Sequence, residues 1–131
     1  MSVFEPDRTY VKVLLADDAA VIRSAVSRLL EAEPAIKLVG VAENFSQTLQ
    51  MAASLRPDVV LLDLHMPDTD AFHPGFVKSE LELSGARVLG MSLSSGEDDE
   101  KVRALAESLG VSTLLNKSDF GRVLIRATLQ T

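Results

Sequence analysis

The sequence has no cysteine and no tryptophan. The first absence excludes disulfide scaffolds, thiolate metal sites and thiol nucleophiles together. Aromatic residues make up 5% of the chain, with a single tyrosine, too few for the base-stacking platform of a single-strand nucleic-acid binder. A basic surplus is missing as well. Lys+Arg number 13 against 19 Asp+Glu, a formal net charge of −6, so no direct nucleic-acid binding is expected of this domain. No stretch approaches the roughly 18 apolar residues of a membrane span. Residues 1–7 lack the basic run and apolar core of an export signal. The expectation is a cytoplasmic domain with no membrane contact.

What is present describes one globular domain: 131 residues, 47% apolar and 24% charged. Residues 1–10 carry a proline, mixed charges and no periodicity, and read as an extended lead-in to a domain over 11–131. From Val11 onward the chain alternates between two kinds of segment. Short apolar, β-branched runs at 11–16, 36–41, 59–62, 87–91 and 111–115 read as strands. Between them lie helical faces, carried by Ile22, Ala25, Val26 and Leu29, then Phe45, Leu49 and Ala52 or Ala53, then Val102, Leu105 and Leu109, then Phe120, Val123, Leu124 and Ala127. The remaining segment, about 72–83, has Pro74-Gly75 near its start, which reads as an interruption. Asn44 with Gln47, Ser94 with Glu97, and Ser118-Asp119 read as N-terminal caps, and Gly110 as a C-terminal one. Runs 11–16 and 59–62 are apolar at consecutive positions, as central parallel strands covered on both faces must be. Five strands interleaved with helices imply an α/β, doubly wound parallel sheet.

In such a sheet the ligand crevice lies beyond the carboxyl ends of the strands. Four of the five runs end there in polar chemistry: Asp17-Asp18, Asp63, Ser92, and Lys117 after Asn116. Singly, each has an ordinary reading as a helix cap, a turn residue, a strand-end serine or a surface lysine. Together they carry a signal. Two carboxylates about 4 Å apart repel by roughly 4 kcal/mol at an effective dielectric of about 20, equivalent to about three pKa units. A divalent cation relieves that repulsion, and an all-oxygen site suits Mg²⁺. One carboxylate can then take a phosphoryl group as nucleophile, with a lysine and a hydroxyl to receive the phosphoryl oxygens.

The motifs Leu14-Leu15-Ala16-Asp17-Asp18, Arg56-Pro57-Asp58-Val59-Val60-Leu61-Leu62-Asp63-Leu64-His65-Met66-Pro67, Met91-Ser92 and Asn116-Lys117 together resemble the receiver domain of bacterial two-component response regulators. The resemblance covers about residues 10–130. The segment 36–42 and Lys117-Ser118 also resemble receivers that precede helix-turn-helix output domains, and the chain would then be a stand-alone receiver or a piece of a longer regulator. It implies a flavodoxin-like (βα)5 fold with strand order 2-1-3-4-5. It implies Asp63 as phosphoacceptor, with Asp17, Asp18, Asp63 and the backbone carbonyl of His65 at a Mg²⁺ site. Ser92 would be the switch hydroxyl and Lys117 the phosphoryl-binding cation. The donor would be a sensor histidine kinase or phosphotransfer protein, and the only catalysis that of the domain's own phosphorylation and dephosphorylation. Self-association would use the face of the fourth helix, fifth strand and fifth helix.

The sequence also departs from the receiver pattern. Ala71 stands where a glycine is usual, Leu93 where a small residue is usual, and Leu114 where a switch aromatic is usual. Leucine equally suits a packed strand position. Ser118 replaces a proline that is often cis, and is expected to follow a trans bond. These departures suggest an alternative, a degenerate receiver acting as a phosphorylation-independent interaction module. Other readings are weaker. His65 and His73 flank a proline-containing loop without a cysteine partner, and the acidic run 97–100 suits a helix N-terminus.

Overall fold

The computed structural model describes residues 10–92, 99–117 and 121–130. It contains β1 (Val11–Ala16), α1 (Ala20–Glu31), β2 (Ile36–Ala42), α2 (Phe45–Leu55), β3 (Val59–Asp63), α3 (Pro74–Ser84), β4 (Arg87–Ser92), α4 (Asp99–Ser108), β5 (Thr113–Asn116) and α5 (Arg122–Leu129). All strand pairs are parallel, in the order β2-β1-β3-β4-β5. This is the doubly wound sheet expected, with β1 and β3 at its centre. Among the described residues no helix is long and apolar enough to cross a membrane.

The consecutive apolar runs divide by the two-residue period of a strand. Leu14, Ala16, Val60 and Leu62 point to one side, where they pack with Phe45, Ala52, Val77, Leu81, Val102 and Ala106 from α2, α3 and α4 and with Leu109 directly after α4. Val13, Leu15, Val59, Leu61, Leu89 and Met91 point to the other, against Val26 and Leu30 of α1 and Leu124 and Ala127 of α5. Close approach of α2 requires Gly40. A Cβ there would lie 2.8 Å from the Met51 methyl and 2.9 Å from Leu55.

Three expectations about local structure need correction. The fifth strand begins at Thr113, not Val111. Gly110 lies at φ 80°, its N–H reaches the Glu107 carbonyl, and the Val111 N–H reaches Ala106. This is the paired closure of a helix on a left-handed glycine, so Val111 belongs to the end of α4 and packs over Gly90. Second, Pro74 starts α3 rather than interrupting it. It occupies the first turn, where its missing N–H costs nothing, while His73 Nδ1 accepts the Gly75 N–H at 3.0 Å. A short 3₁₀ turn at Thr69–Ala71 precedes it, and Ala71 closes on Asp68 through its backbone. Third, Asn44 caps α2 through the Gln47 N–H at 2.8 Å, but the Gln47 side chain answers to the Glu43 N–H rather than to Asn44. The readings at Leu93, Ser94 with Glu97, Ser118-Asp119 and Phe120 lie outside the described residues. No peptide bond is cis among the described residues.

Strand β4 is tied to α5 at its start. The Arg87 guanidinium donates to the carbonyls of Ala127 at 3.1 Å and Thr128 at 3.0 Å, a favourable place for a cation at a helix C-terminus.

Gly85 and Gly110 both have positive φ, and a Cβ on Gly85 would touch nothing whereas one on Gly110 would meet the flexible Lys78 stem. Gly85→Ala and Gly110→Ala should therefore each lose about 1 to 2 kcal/mol of stability from backbone strain alone, read as a lower urea midpoint at unchanged slope. Wild-type midpoints in both would contradict the left-handed closures.

Candidate functional site

The carboxyl ends of β1, β3, β4 and β5 converge as the parallel topology demands. β3 and β4 each run one residue longer than expected, so Asp63 and Ser92 are themselves the last strand residues. Asp17, directly after β1, is fully buried; Asp63 and Ser92 are 2% exposed and Lys117 7%. Lys117 is placed by its backbone, whose N–H bonds the Ser92 carbonyl at 2.8 Å. Its ammonium lies 2.8 Å from Asp17 Oδ2 and 3.2 Å from Asp63 Oδ2. Asp18 is exposed at the rim, and carboxylate oxygens of Asp17, Asp18 and Asp63 lie within 4.8 Å of one another. The structure thus brings Asp17, Asp18, Asp63, Ser92 and Lys117 to one crevice, with His65 following Asp63.

Neither Asp17 nor Asp18 serves as the side-chain cap of α1. The capping position is Ala19, without a side-chain bond. Asp17 Oδ1 instead accepts the Ala19 N–H at 2.9 Å, and Asp63 Oδ1 accepts the His65 N–H at 3.0 Å. Both are two-residue aspartate turns that fix one oxygen of each carboxylate. The other oxygen, Asp17 Oδ2 or Asp63 Oδ2, is buried and faces the Lys117 ammonium, the charged group that compensates both.

Burial is the largest influence on Asp63 and pushes its carboxyl up to about 6 from 3.8. The charge of Asp17 and the neighbouring Asp18 push the same way, while the His65 N–H and Lys117 oppose them. Desolvation therefore outweighs the carboxylate repulsion that the sequence pattern suggested. Lys117 is held above its ordinary value: burial pulls it down, but its contacts with Asp17 and Asp63 more than offset that.

Sequence reasoning missed Arg23. Its guanidinium donates to the Asp17 carbonyl at 2.9 Å and lies 3.6 Å from Glu43, steadying the β1 end of the crevice. The signal was there, a cation directly after Ile22 on the apolar face of α1. Leu114 is 37% exposed. It belongs to neither buried cluster, so the packed-strand reading of this leucine is wrong.

An all-oxygen set with two buried carboxylate oxygens that share one ammonium is chemically fitted to a hard divalent cation such as Mg²⁺. Among the described residues one ammonium contacts this set, and a single positive charge cannot neutralise three carboxylates.

Comparison with known proteins agrees with this geometry. The family described as "Response regulator receiver domain" matches residues 13–128. The chain is 35% identical over 108 residues to the transcriptional regulatory protein LiaR of Bacillus subtilis, covering 82% of this chain and 50% of LiaR. It is 33% identical over 117 residues to a protein-glutamate methylesterase/protein-glutamine glutaminase of Myxococcus xanthus, covering 89% of this chain and 31% of that protein. It thus spans half or less of these relatives. The signal receiver domain of a putative response regulator NarL from Mycobacterium tuberculosis superimposes with a TM-score of 0.75 at 22% identity, over 93% of this chain and 98% of that one.

A raised Asp63 has a defined consequence for stability. Its protonated form is favoured by folding, a contribution fully present below about pH 4 and lost as pH rises through about 6. Asp63→Asn keeps a neutral side chain at every pH. In metal-free buffer its melting temperature should match wild type near pH 4 and exceed it at pH 7.5, by at most about 3 kcal/mol of stability. A difference independent of pH would contradict the assignment.

Proposed function

Because the chain belongs to the response regulator receiver domain family and is a receiver of two-component signalling, we propose that Asp63 is its phosphoacceptor. The single observation carrying this is the buried arrangement of Asp63 and Asp17 on one shared Lys117 ammonium at the carboxyl edge of the sheet. A carboxylate oxygen of Asp63 attacks the phosphorus of a phosphohistidine on a sensor kinase or phosphotransfer protein. The P–N bond breaks, and the imidazole leaves with a proton from solvent. A small donor such as acetyl phosphate would serve in the same way.

Asp17, Asp18, Asp63 and the His65 carbonyl are the groups that would hold Mg²⁺, which when bound supplies charge neutralisation for the transferred phosphoryl oxygens. Lys117 supplies a fixed positive charge, and Ser92 a hydroxyl beside the acceptor. Arg23 holds the backbone at Asp17, so the first carboxylate keeps its place during transfer. The chain's own catalysis is then its phosphorylation and dephosphorylation, within a domain over residues 11–131 in a cytoplasmic pathway. The presence of Asp17, Asp63, Ser92 and Lys117 together favours this reading over a phosphorylation-independent interaction module. Incubation with acetyl phosphate and Mg²⁺ should raise the intact mass by one phosphate in wild type and leave Asp63→Ala unchanged. An equal gain in the variant would place the chemistry elsewhere.

Signal transmission from this site follows from Ser92 and Leu114. Leu114 has no ring to rotate inward, and it stands 37% exposed on the edge strand β5, part of the face of α4, β5 and α5. Ser92 and Lys117 remain to couple the phosphoryl group to that face. A phosphoryl group shifts an equilibrium only by its differential affinity for the two states, so losing one coupled element reduces the response. Beryllofluoride with Mg²⁺ should produce only modest chemical-shift changes over residues 99–117 and no sharp monomer-to-dimer conversion. A large rearrangement there would show that Leu114 leaves the switch intact.

A further inference from the structure

Resting on the reading of the acidic crevice as a Mg²⁺ site, we propose that Asp68 is a positioning residue for it, acting through the loop that follows Asp63. That loop has to orient one peptide accurately. The N–H of His65 is committed to Asp63 Oδ1 at 3.0 Å, and its carbonyl is the backbone oxygen assigned to the cation. The His65 side chain is exposed, so its neighbours hold the peptide.

Two anchors are local. Leu64 is fully buried, and its N–H bonds the Met91 carbonyl at 3.2 Å. Met66 is 5% exposed, and both its backbone groups bond the Thr69 hydroxyl, which accepts from the N–H at 2.9 Å and donates to the carbonyl. Asp68 supplies the third, and it reaches another element. Its Oδ1 accepts the Phe45 N–H at 2.9 Å and its Oδ2 the Ser46 N–H at 3.0 Å. These are first-turn donors of α2, where a carboxylate is also favoured by the helix dipole. The helix is itself seated on the sheet through Met51 and Leu55 over Gly40. Asp68 therefore references the metal-binding peptide to the sheet by a second route, and the loop is held at both ends rather than hanging from β3.

A purely structural role, completion of the α2 cap, makes a different prediction. Asn44 also caps this end of α2, and its side-chain oxygen accepts from Gln47 within the helix rather than reaching to the loop. Asn44→Ala should destabilise the same helix end without disturbing the loop.

The test compares Asp68→Ala, Asp68→Asn, Asn44→Ala and Asp18→Ala in the full chain. Mg²⁺ titrations are followed by amide chemical shifts, and hydrogen exchange of the His65 amide is measured without metal. Asp68→Ala should weaken Mg²⁺ binding about tenfold, the scale of a lost outer-shell support, and accelerate His65 exchange. Asp68→Asn, which keeps one acceptor oxygen, should be intermediate, and it decides the matter if the alanine variant does not fold. Asn44→Ala should lower the melting temperature while leaving both readouts at wild-type values. The positioning role is overturned if the Asp68 variants keep wild-type Mg²⁺ affinity and exchange, or if Asn44→Ala changes both equally. Wild-type affinity in Asp18→Ala would instead overturn the metal site itself, and the exchange comparison would still decide how the loop is held.

Discussion

One lysine ammonium between two buried aspartates is the constraint on which the rest of this fold depends. Lys117 stands at contact distance from both Asp17 and Asp63, in a place where water cannot screen them. Bringing three charges out of water is expensive, and a pair of opposite charges recovers that cost only with good geometry. Here one positive charge serves two negative ones, with Asp18 a third at the rim. The sheet must deliver the ends of β1, β3 and β5 to a single point, and the two apolar layers must be firm enough to keep them there. The buried clusters on the two faces do this, each built from strand residues of alternating direction.

That arrangement is poor as a stabilising device and well suited to binding. A carboxyl raised by burial and two buried carboxylate oxygens sharing a single ammonium are both under-compensated in the free domain. An incoming cation or phosphoryl group meets groups whose desolvation has already occurred and whose positions are already set, so little reorganisation opposes binding. Local rules of stability are broken where function requires it and obeyed elsewhere.

Much of this was legible in the chain. The apolar consecutive runs predicted the central strands, because a strand covered on both faces has no polar alternation to show. The polar residues ending those runs predicted the crevice, because a parallel sheet gathers all its carboxyl ends on one edge. What escaped reading was set by interactions across the fold. Val111 looks like strand material by its side chain, but a left-handed Gly110 diverts its backbone into a helix closure. Pro74 looks like a breaker until its position in the first turn is known. The roles of Arg23 and Asp68 depend on groups 6 and 22 to 23 residues away respectively, and no local pattern announces such partners. Leu114 gave the opposite error, since its hydrophobicity said core and the sheet edge left it outside.

The grip of Arg87 on α5 gives β4 a mechanical character. The strand is a stiff rod of six residues, about 17 Å from end to end, wedged between β3 and β5. At its far end it carries the serine of the crevice; at its near end a guanidinium fork is fastened to the last turn of a helix. Strand β4 thus joins the crevice at one edge of the sheet to the C-terminus of α5 at the other, a single element fastened at both ends.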